Sequence, residues 1–388
     1  MSNQTIRTAQ SCATDARQAV QEFHAAVVQP EMALVVFFCS SEYDLELLAA
    51  EMNRLFAGVQ VVGCTTAGEI GPSGYRAHTL SGLSFAAGDC VAVSGLLENL
   101  GQFTIAGGHG FAQALLQRLE HQAPQANSKN SFALLLIDGL SVREEQVAHA
   151  LQYALGNIGL FGGSAGDDLN FAKTFLFSEG RFYSDSAVLV LINTSLPFTL
   201  FKTQHFISTD ERLVVTEADT ERRIVTEING LPAAAEYARL VGVEVHELNP
   251  MRFAAAPVVV MIDGTDYVRS IQKANADGSL TFFCAVEEGV VFRVAHGAGL
   301  VKNMEQAFDE VHAKIGQPQL VIACDCVLRN LEVTQGGLKD RVSEIFKSNN
   351  AVGFSSYGEQ FRGVHVNQTL TGIAIGNAAQ VTPKPKDA

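Results

Sequence analysis

The sequence predicts an α/β protein in which repeated strand-helix-strand units form sheets flanked by helices, arranged as two domains. Three observations carry this. Nearly continuous apolar runs of strand length recur along the chain, an amphipathic stretch follows them, and a turn rich in glycine and hydroxyls closes each group.

Residues 1–30 are expected to form an N-terminal helical segment, with TDARQAVQEF as a helix packed on the outside. ALVVFFCS at 33–40 is a strand of the kind covered on both sheet faces. Ser41 and Asp44 offer a capping start, and Leu45, Leu48, Met52, Leu55 and Phe56 follow at helical spacing. VQVVG is the parallel return strand and runs into VVGCTTAGEI at 61–70. The stretch from Phe132 to Leu169 repeats this order, with Leu134 and Ser141 spaced as Leu34 and Ser41 are. LVIACDC at 320–326, GLKDRVSEIFKS and AVGFSSYGEQ at 351–360 give it a third time. Val62 to Glu69 aligns on Val352 to Glu359 without a gap, and Thr79 to Leu83 falls on Thr369 to Ile373 at the same offset. The chain is therefore read as a product of duplication.

Between the second and third copies, RLVVTEADTERRIVTEING, APVVVMIDGTDYVRSIQ and TFFCAVEEGVVFRVA read as short alternating strands, with Asp277-Gly278 as a hairpin turn. The expected division is a first domain at 31–227 holding two repeats and a second at 228–377 holding the third. Residues 378–388 are expected to be a flexible tail.

Composition removes several classes of function. Forty-one acidic against 27 basic residues give a net charge of −14, a field that repels nucleic acid and anionic membranes. No apolar run approaches the roughly 18 residues that cross a bilayer, and MSNQTIRTAQSCATDARQ has no signal-like apolar segment. A cytoplasmic protein without membrane contact is expected. Seven cysteines, an odd number lying mostly in apolar runs, read as reduced and buried thiols.

Cys64 stands at a strand-to-turn junction, where a nucleophile could be exposed beside backbone amides. Its counterparts in the other copies are Gly163 and Phe354, so the turn itself needs no thiol. Gly63, Gly68, Gly162, Gly166, Gly353 and Gly358 recur, as positions of positive φ or close backbone approach do. Glu69, the pair Asp167-Asp168 and Glu359 place an acid after each turn, read as an acceptor for the turn's own amides. Cys324-Asp325-Cys326 lacks the further ligands of a metal site and reads as core. Most of the ten histidines sit among polar neighbours and are expected to be solvated. His365 differs, lying beside Tyr357, Glu359, Gln360, Asn367 and Gln368; His78 and His296 are the other two candidate ligands.

The combination of VVGCTTAGEI, FGGSAGDD, YVRSIQ with DGSL and EEGVVFRV, CDCVLR, VGFSSYGEQ and HVNQT resembles the FIST family of bacterial sensory proteins, from about Met32 to Gly376. Within it the chain looks most like the NosP haemoproteins that sense nitric oxide. That resemblance implies haem b, nitric oxide as ligand, and a partner histidine kinase or cyclic-di-GMP enzyme that sets biofilm behaviour. It implies a haem-iron ligand among His365, His296 and His78. Many members carry a His directly before Asn-Gln-Thr; here Val366 intervenes, which turns His365 to the other face of a strand.

The leading expectation is a non-enzymatic sensor. A second is a haem-free sensor of an amino-acid-like metabolite held by Tyr357, Glu359, Arg362, His365, Asn367 and Gln368. A third is a thiol hydrolase using Cys64 with His78. The oligomeric state stays open, homo-oligomers included.

Overall fold

The computed structural model describes residues 5–262 and 264–378. Apart from Ala378, the expected tail lies outside them. The first unit runs β1 (Ile6–Ser11), α1 (Ala16–Val27), β2 (Met32–Ser40), α2 (Leu45–Leu55), β3 (Val61–Thr66), a small hairpin of β4 (Glu69–Gly71) and β5 (Gly74–Arg76), then β6 (Leu80–Ala86). The second repeats it as β7 (Cys90–Glu98), α3 (Ile105–Gln122), β8 (Ser131–Ile137), α4 (Glu144–Leu155), β9 (Gly159–Ser164), hairpin β10 (Leu176–Ser178) and β11 (Arg181–Tyr183), and β12 (Ser186–Thr194).

The third opens with β13 (Phe198–Thr203) and is interrupted by an inserted region. This comprises β14 (Phe206–Asp219), β15 (Ile224–Ile228), β16 (Leu231–Pro232), α5 (Ala233–Val241), α6 (Pro250–Ala255), β17 (Val258–Ile262), β18 (Thr265–Arg269), β19 (Ile271–Ala274), β20 (Leu280–Phe282) and β21 (Val291–Gly297). The unit resumes with α7 (Leu300–Ile315), β22 (Leu320–Cys326), α8 (Val327–Gln335), α9 (Lys339–Ser348), β23 (Ala351–Ser356), hairpin β24 (Glu359–Phe361) and β25 (Val364–Val366), and β26 (Leu370–Ile375).

Each unit builds the same four-stranded core: the last strand lies antiparallel between the first and second, and the second pairs in parallel with the third. The hairpin does not stay at home. The sheets read β1-β6-β2-β3-β10-β11, β7-β12-β8-β9-β24-β25 and β13-β26-β22-β23-β4-β5. Unit two's hairpin thus completes sheet one, unit three's completes sheet two, and unit one's completes sheet three.

A closed cycle of backbone bonds joins the turns: Ala67 N donates to Ser355 O (3.0 Å), Gly166 N to Thr65 O (3.0 Å) and Tyr357 N to Ser164 O (3.2 Å). Residues two places after each hairpin, His78, Asp185 and Gln368, share left-handed φ values of 58°, 46° and 49°. The recurrent glycines before the turns answer to crowding. A Cβ on Gly63, Gly162 or Gly353 would stand 2.6, 1.8 or 1.8 Å from the carbonyl oxygen of the facing parallel strand.

The inner faces of the three sheets meet in one apolar core, in which Phe38 and Phe354 stack at 4.7 Å between ring centres. The outer faces carry the helices. α1 shows why: Ala16, Ala19, Val20, Phe23 and Val27 form its buried stripe, and Asp15 caps it by accepting from Gln18 N. The expected N-terminal helix is present, but β1 before it is a strand of the first sheet, paired with β6. The boundary expected near 228 falls at the end of β15, inside the inserted region, whose eight strands form a fourth sheet with its own core around Leu213, Tyr237 and Phe292.

Candidate functional site

The approximate three-fold arrangement permits an internal comparison, because each hairpin meets its neighbour in the same register. The paired positions are Phe177 with Phe182, Ile70 with Tyr75, and Gln360 with His365. In the first pair the junction is apolar, two rings in edge contact at 5.2 Å. In the last it is polar and fully enclosed, so the frame does not require a polar junction there.

At that junction Gln360 Nε2 donates to Ser164 Oγ (2.9 Å) and approaches His365 Nδ1 (3.3 Å). The imidazole proton therefore sits on Nε2, 3.2 Å from the carbonyl oxygen of Phe283. Burial pushes the His365 pKa down, with Glu145 and Glu144 acting in the opposite direction, so the ring is held neutral. Gly358 makes the room: a Cβ on it would lie 2.4 Å from His365 Cε1. Asn367 Oδ1 accepts from Ser270 N at 3.4 Å, and Gln368 Nε2 donates to Phe253 O at 3.4 Å. Gln360 Oε1, Asn367 Nδ2, Gln368 Oε1 and Ser270 Oγ are buried without a hydrogen-bond partner.

The inserted region forms the far wall. Arg223, in the turn between β14 and β15, reaches Glu144 at 2.5 Å and Glu145 at 2.6 Å at the start of α4, and donates to Phe283 O at 2.9 Å. Ala285 N donates to Glu145 Oε1 (2.8 Å), so the segment that covers His365 is tied to the second unit.

The other expected site residues lie elsewhere or do other work. Tyr357 hydrogen-bonds Asp167 through its hydroxyl and packs against Phe171 at 4.7 Å. Glu359 accepts from Ser356 Oγ (2.7 Å), Thr369 N (3.1 Å) and Thr369 Oγ1 (2.6 Å), and Glu69 has the matching set in Thr66 and Thr79. Burial raises these carboxyls to about 8 and about 7. In the second unit the equivalent position by strand register is Leu176, not Asp167 or Asp168. Asp167 instead accepts from the amides of Phe171, Ala172 and Lys173, so the reading of one matching acid per unit fails there. Arg362 is exposed at the hairpin tip and lines a separate groove of about 430 Å³.

His296 is exposed on β21, and His78 is half-exposed with Nδ1 2.9 Å from Glu42 Oε2. Cys64 is enclosed in the central core, where burial drives its thiol pKa up, the reverse of an activated nucleophile. Cys324 and Cys326 are buried likewise.

A separate buried polar group was also missed by the sequence reading. His205, expected among the solvated histidines, is buried between β13 and β14, with Nε2 2.9 Å from both oxygens of Glu332 and Nδ1 3.1 Å from Arg329 Nη1. Arg329 is wholly buried and pairs with Asp325 at 2.6 Å. The available signal was Asp325 itself, a charge inside the apolar run LVIACDC.

Fold and site together define an α/β protein with a buried polar cluster between a three-unit frame and an inserted sheet. The chain belongs to the FIST family: the FIST N domain matches residues 33–231 and the FIST C domain residues 233–362. These are domains of sensory signal transduction that bind small ligands. The chain is 24% identical over 278 residues to the uncharacterized protein MJ1623 of Methanocaldococcus jannaschii, covering 63% of this chain. It spans about half, 54%, of that relative's length. Among solved structures it is similar to cyanuric acid hydrolase from A. caulinodans, at 9% identity and a TM-score of 0.41, and to a further cyanuric acid hydrolase structure at 10% and 0.36. Each match covers 96% of this chain and 99% of the other. Likeness at that level extends no chemistry to this protein. No helix among the described residues is long and apolar enough to cross a membrane.

Proposed function

We propose that this protein is a non-enzymatic cytoplasmic sensor of a small polar metabolite, an amino acid or small amide, held between the β24-β25 hairpin and the inserted region. One observation supports the reading above others. Gln360, Asn367, Gln368 and Ser270, none with any solvent exposure, each keep an unpaired polar atom, and Gln360 with His365 stands where another unit has the apolar pair Phe177 and Phe182. An unsatisfied buried group costs about 1–3 kcal/mol, so a ligand that pairs with several of them gains that much on each. The two glutamine oxygens accept from ligand N–H groups; the Asn367 amide and Ser270 hydroxyl donate to a carbonyl or carboxylate. Phe253, Ser270 and Phe283 of the inserted region cover this polar cluster, so a ligand enters as that region moves aside and its binding shifts the balance between the two placements. A partner protein reads the shift.

Thermal-shift screening of haem-free protein against amino acids and small amides tests this. At least one compound is expected to raise the Tm, and N367A and Q360A are expected to abolish its effect. A panel without a hit, or a hit untouched by both substitutions, overturns the reading.

Haem b with nitric oxide as the signal, passed to a histidine kinase or cyclic-di-GMP enzyme, is the competing proposal. The neutral state of His365 favours it, since neutral imidazole binds iron. The closed geometry does not fit it: both ring nitrogens are engaged and the ring is 2% exposed. A Soret band after reconstitution, lost in H365A, would establish haem in place of the metabolite.

A further inference from the structure

We propose a divalent-cation site formed by Glu42, His78 and Asp168, in the cleft between the first unit's turn, the second unit's loop and α8. It is independent of the polar cluster around His365. One ligand atom from each of the three residues lies within 4.8 Å of the other two, and Glu42 Oε2 and His78 Nδ1 are already 2.9 Å apart. The two atoms share a hydrogen bond in the ion-free protein, and an ion held about 2.0–2.2 Å from each would replace the shared proton with only a small widening of the gap. Asp168 closes by rotation of partly exposed side chains.

The internal comparison again separates what the frame demands from what is added. His78, Asp185 and Gln368 occupy the same left-handed position. Asp185 Oδ1 accepts from Gly101 N at 3.0 Å and Gln368 Nε2 donates to Phe253 O, so both side chains are tied to backbone. His78 is turned instead to a carboxylate from a different segment, with a second carboxylate beside it. By register Glu42 corresponds to Leu140 and Leu328, two residues past Asp138 and Cys326, so the acid is peculiar to this unit. The cleft has a volume of about 390 Å³, and its other wall carries Asn330, whose Oδ1 is shielded from solvent and accepts no hydrogen bond.

One imidazole nitrogen and two carboxylate oxygens suit a borderline or hard ion such as Zn²⁺ or Mn²⁺, with water completing the shell on the cleft side.

Full-length protein stripped with EDTA and dialysed against Zn²⁺ or Mn²⁺ tests the proposal, with bound metal measured by elemental analysis. One equivalent is expected. H78A and D168N are each expected to weaken binding at least about tenfold, with an apo Tm unchanged from wild type because all three residues lie at the surface of the cleft. Co²⁺ gives a second readout, visible absorption bands that disappear in H78A. No metal retained by wild-type protein, or equal retention by the H78A/D168N double variant, would overturn the site.

Discussion

Glu69 and Glu359 show how a residue can be structural and still answer to pH. Their folded-state values of about 7 and about 8 lie above the ordinary 4.5. The folded protein therefore binds these protons more tightly than the unfolded chain does. Their stabilising contribution is complete below about pH 4.5 and is lost as pH rises through 7 to 8. E69Q/E359Q, which removes the titrating proton and keeps one acceptor oxygen on each side chain, is expected to flatten the fall in Tm between pH 5 and 8. Thermal melts across that range check it; an unchanged slope would show that other groups dominate. The crowded glycines give a second prediction. G353A, with a Cβ 1.8 Å from Ala323 O, is expected to lose about 1–3 kcal/mol or more by urea denaturation. G110A, in α3 with open space around the added methyl, is expected to gain up to about 1 kcal/mol.

At the scale of elements, Arg223 supplies the charged part of the hold between the inserted region and the frame. R223A would leave Glu144, with 2% of its side chain exposed, buried without its cation, at a cost of about 3–5 kcal/mol. Hydrogen exchange should report it as earlier deprotection of β14 to β21 and of the start of α4, with sheet one unaffected. The same scale shows what sequence alone could give. Duplication was legible because parallel strands, helical stripes and crowded glycines impose local residue types, and Val62 to Glu69 and Val352 to Glu359 still carry them in register. The cluster around His365 was legible for the same reason, its members lying within a dozen residues of one another. Arg223, Ser270, Phe283 and the pair Glu144-Glu145 were not, because their roles arise from contacts across long sequence separations that leave no local pattern. β1 was missed because IRTAQS is a mixed edge-strand sequence with little apolar periodicity.

At the scale of the molecule, the exchange of hairpins makes the three units mutually dependent. Deleting residues 198–388 would remove β24-β25 from sheet two and strip the shared core of one wall. The 1–197 fragment is expected to lack a cooperative melt, whereas the whole frame should unfold as one unit. Calorimetry on both chains distinguishes this from independent folding. A discrete transition in the fragment would show that the units stand alone.

The travelling hairpin has a further consequence for inheritance. A mutation in residues 359–366 changes the second sheet's border rather than that of the unit which encodes it. Each third of the gene therefore writes part of its neighbour's chemistry. After duplication the copies could diverge in specificity while every scaffold strand stayed under its old constraint. Grafting residues 69–76 onto 359–366 would in that case put Ile70 and Tyr75 in place of Gln360 and His365 and leave the architecture standing.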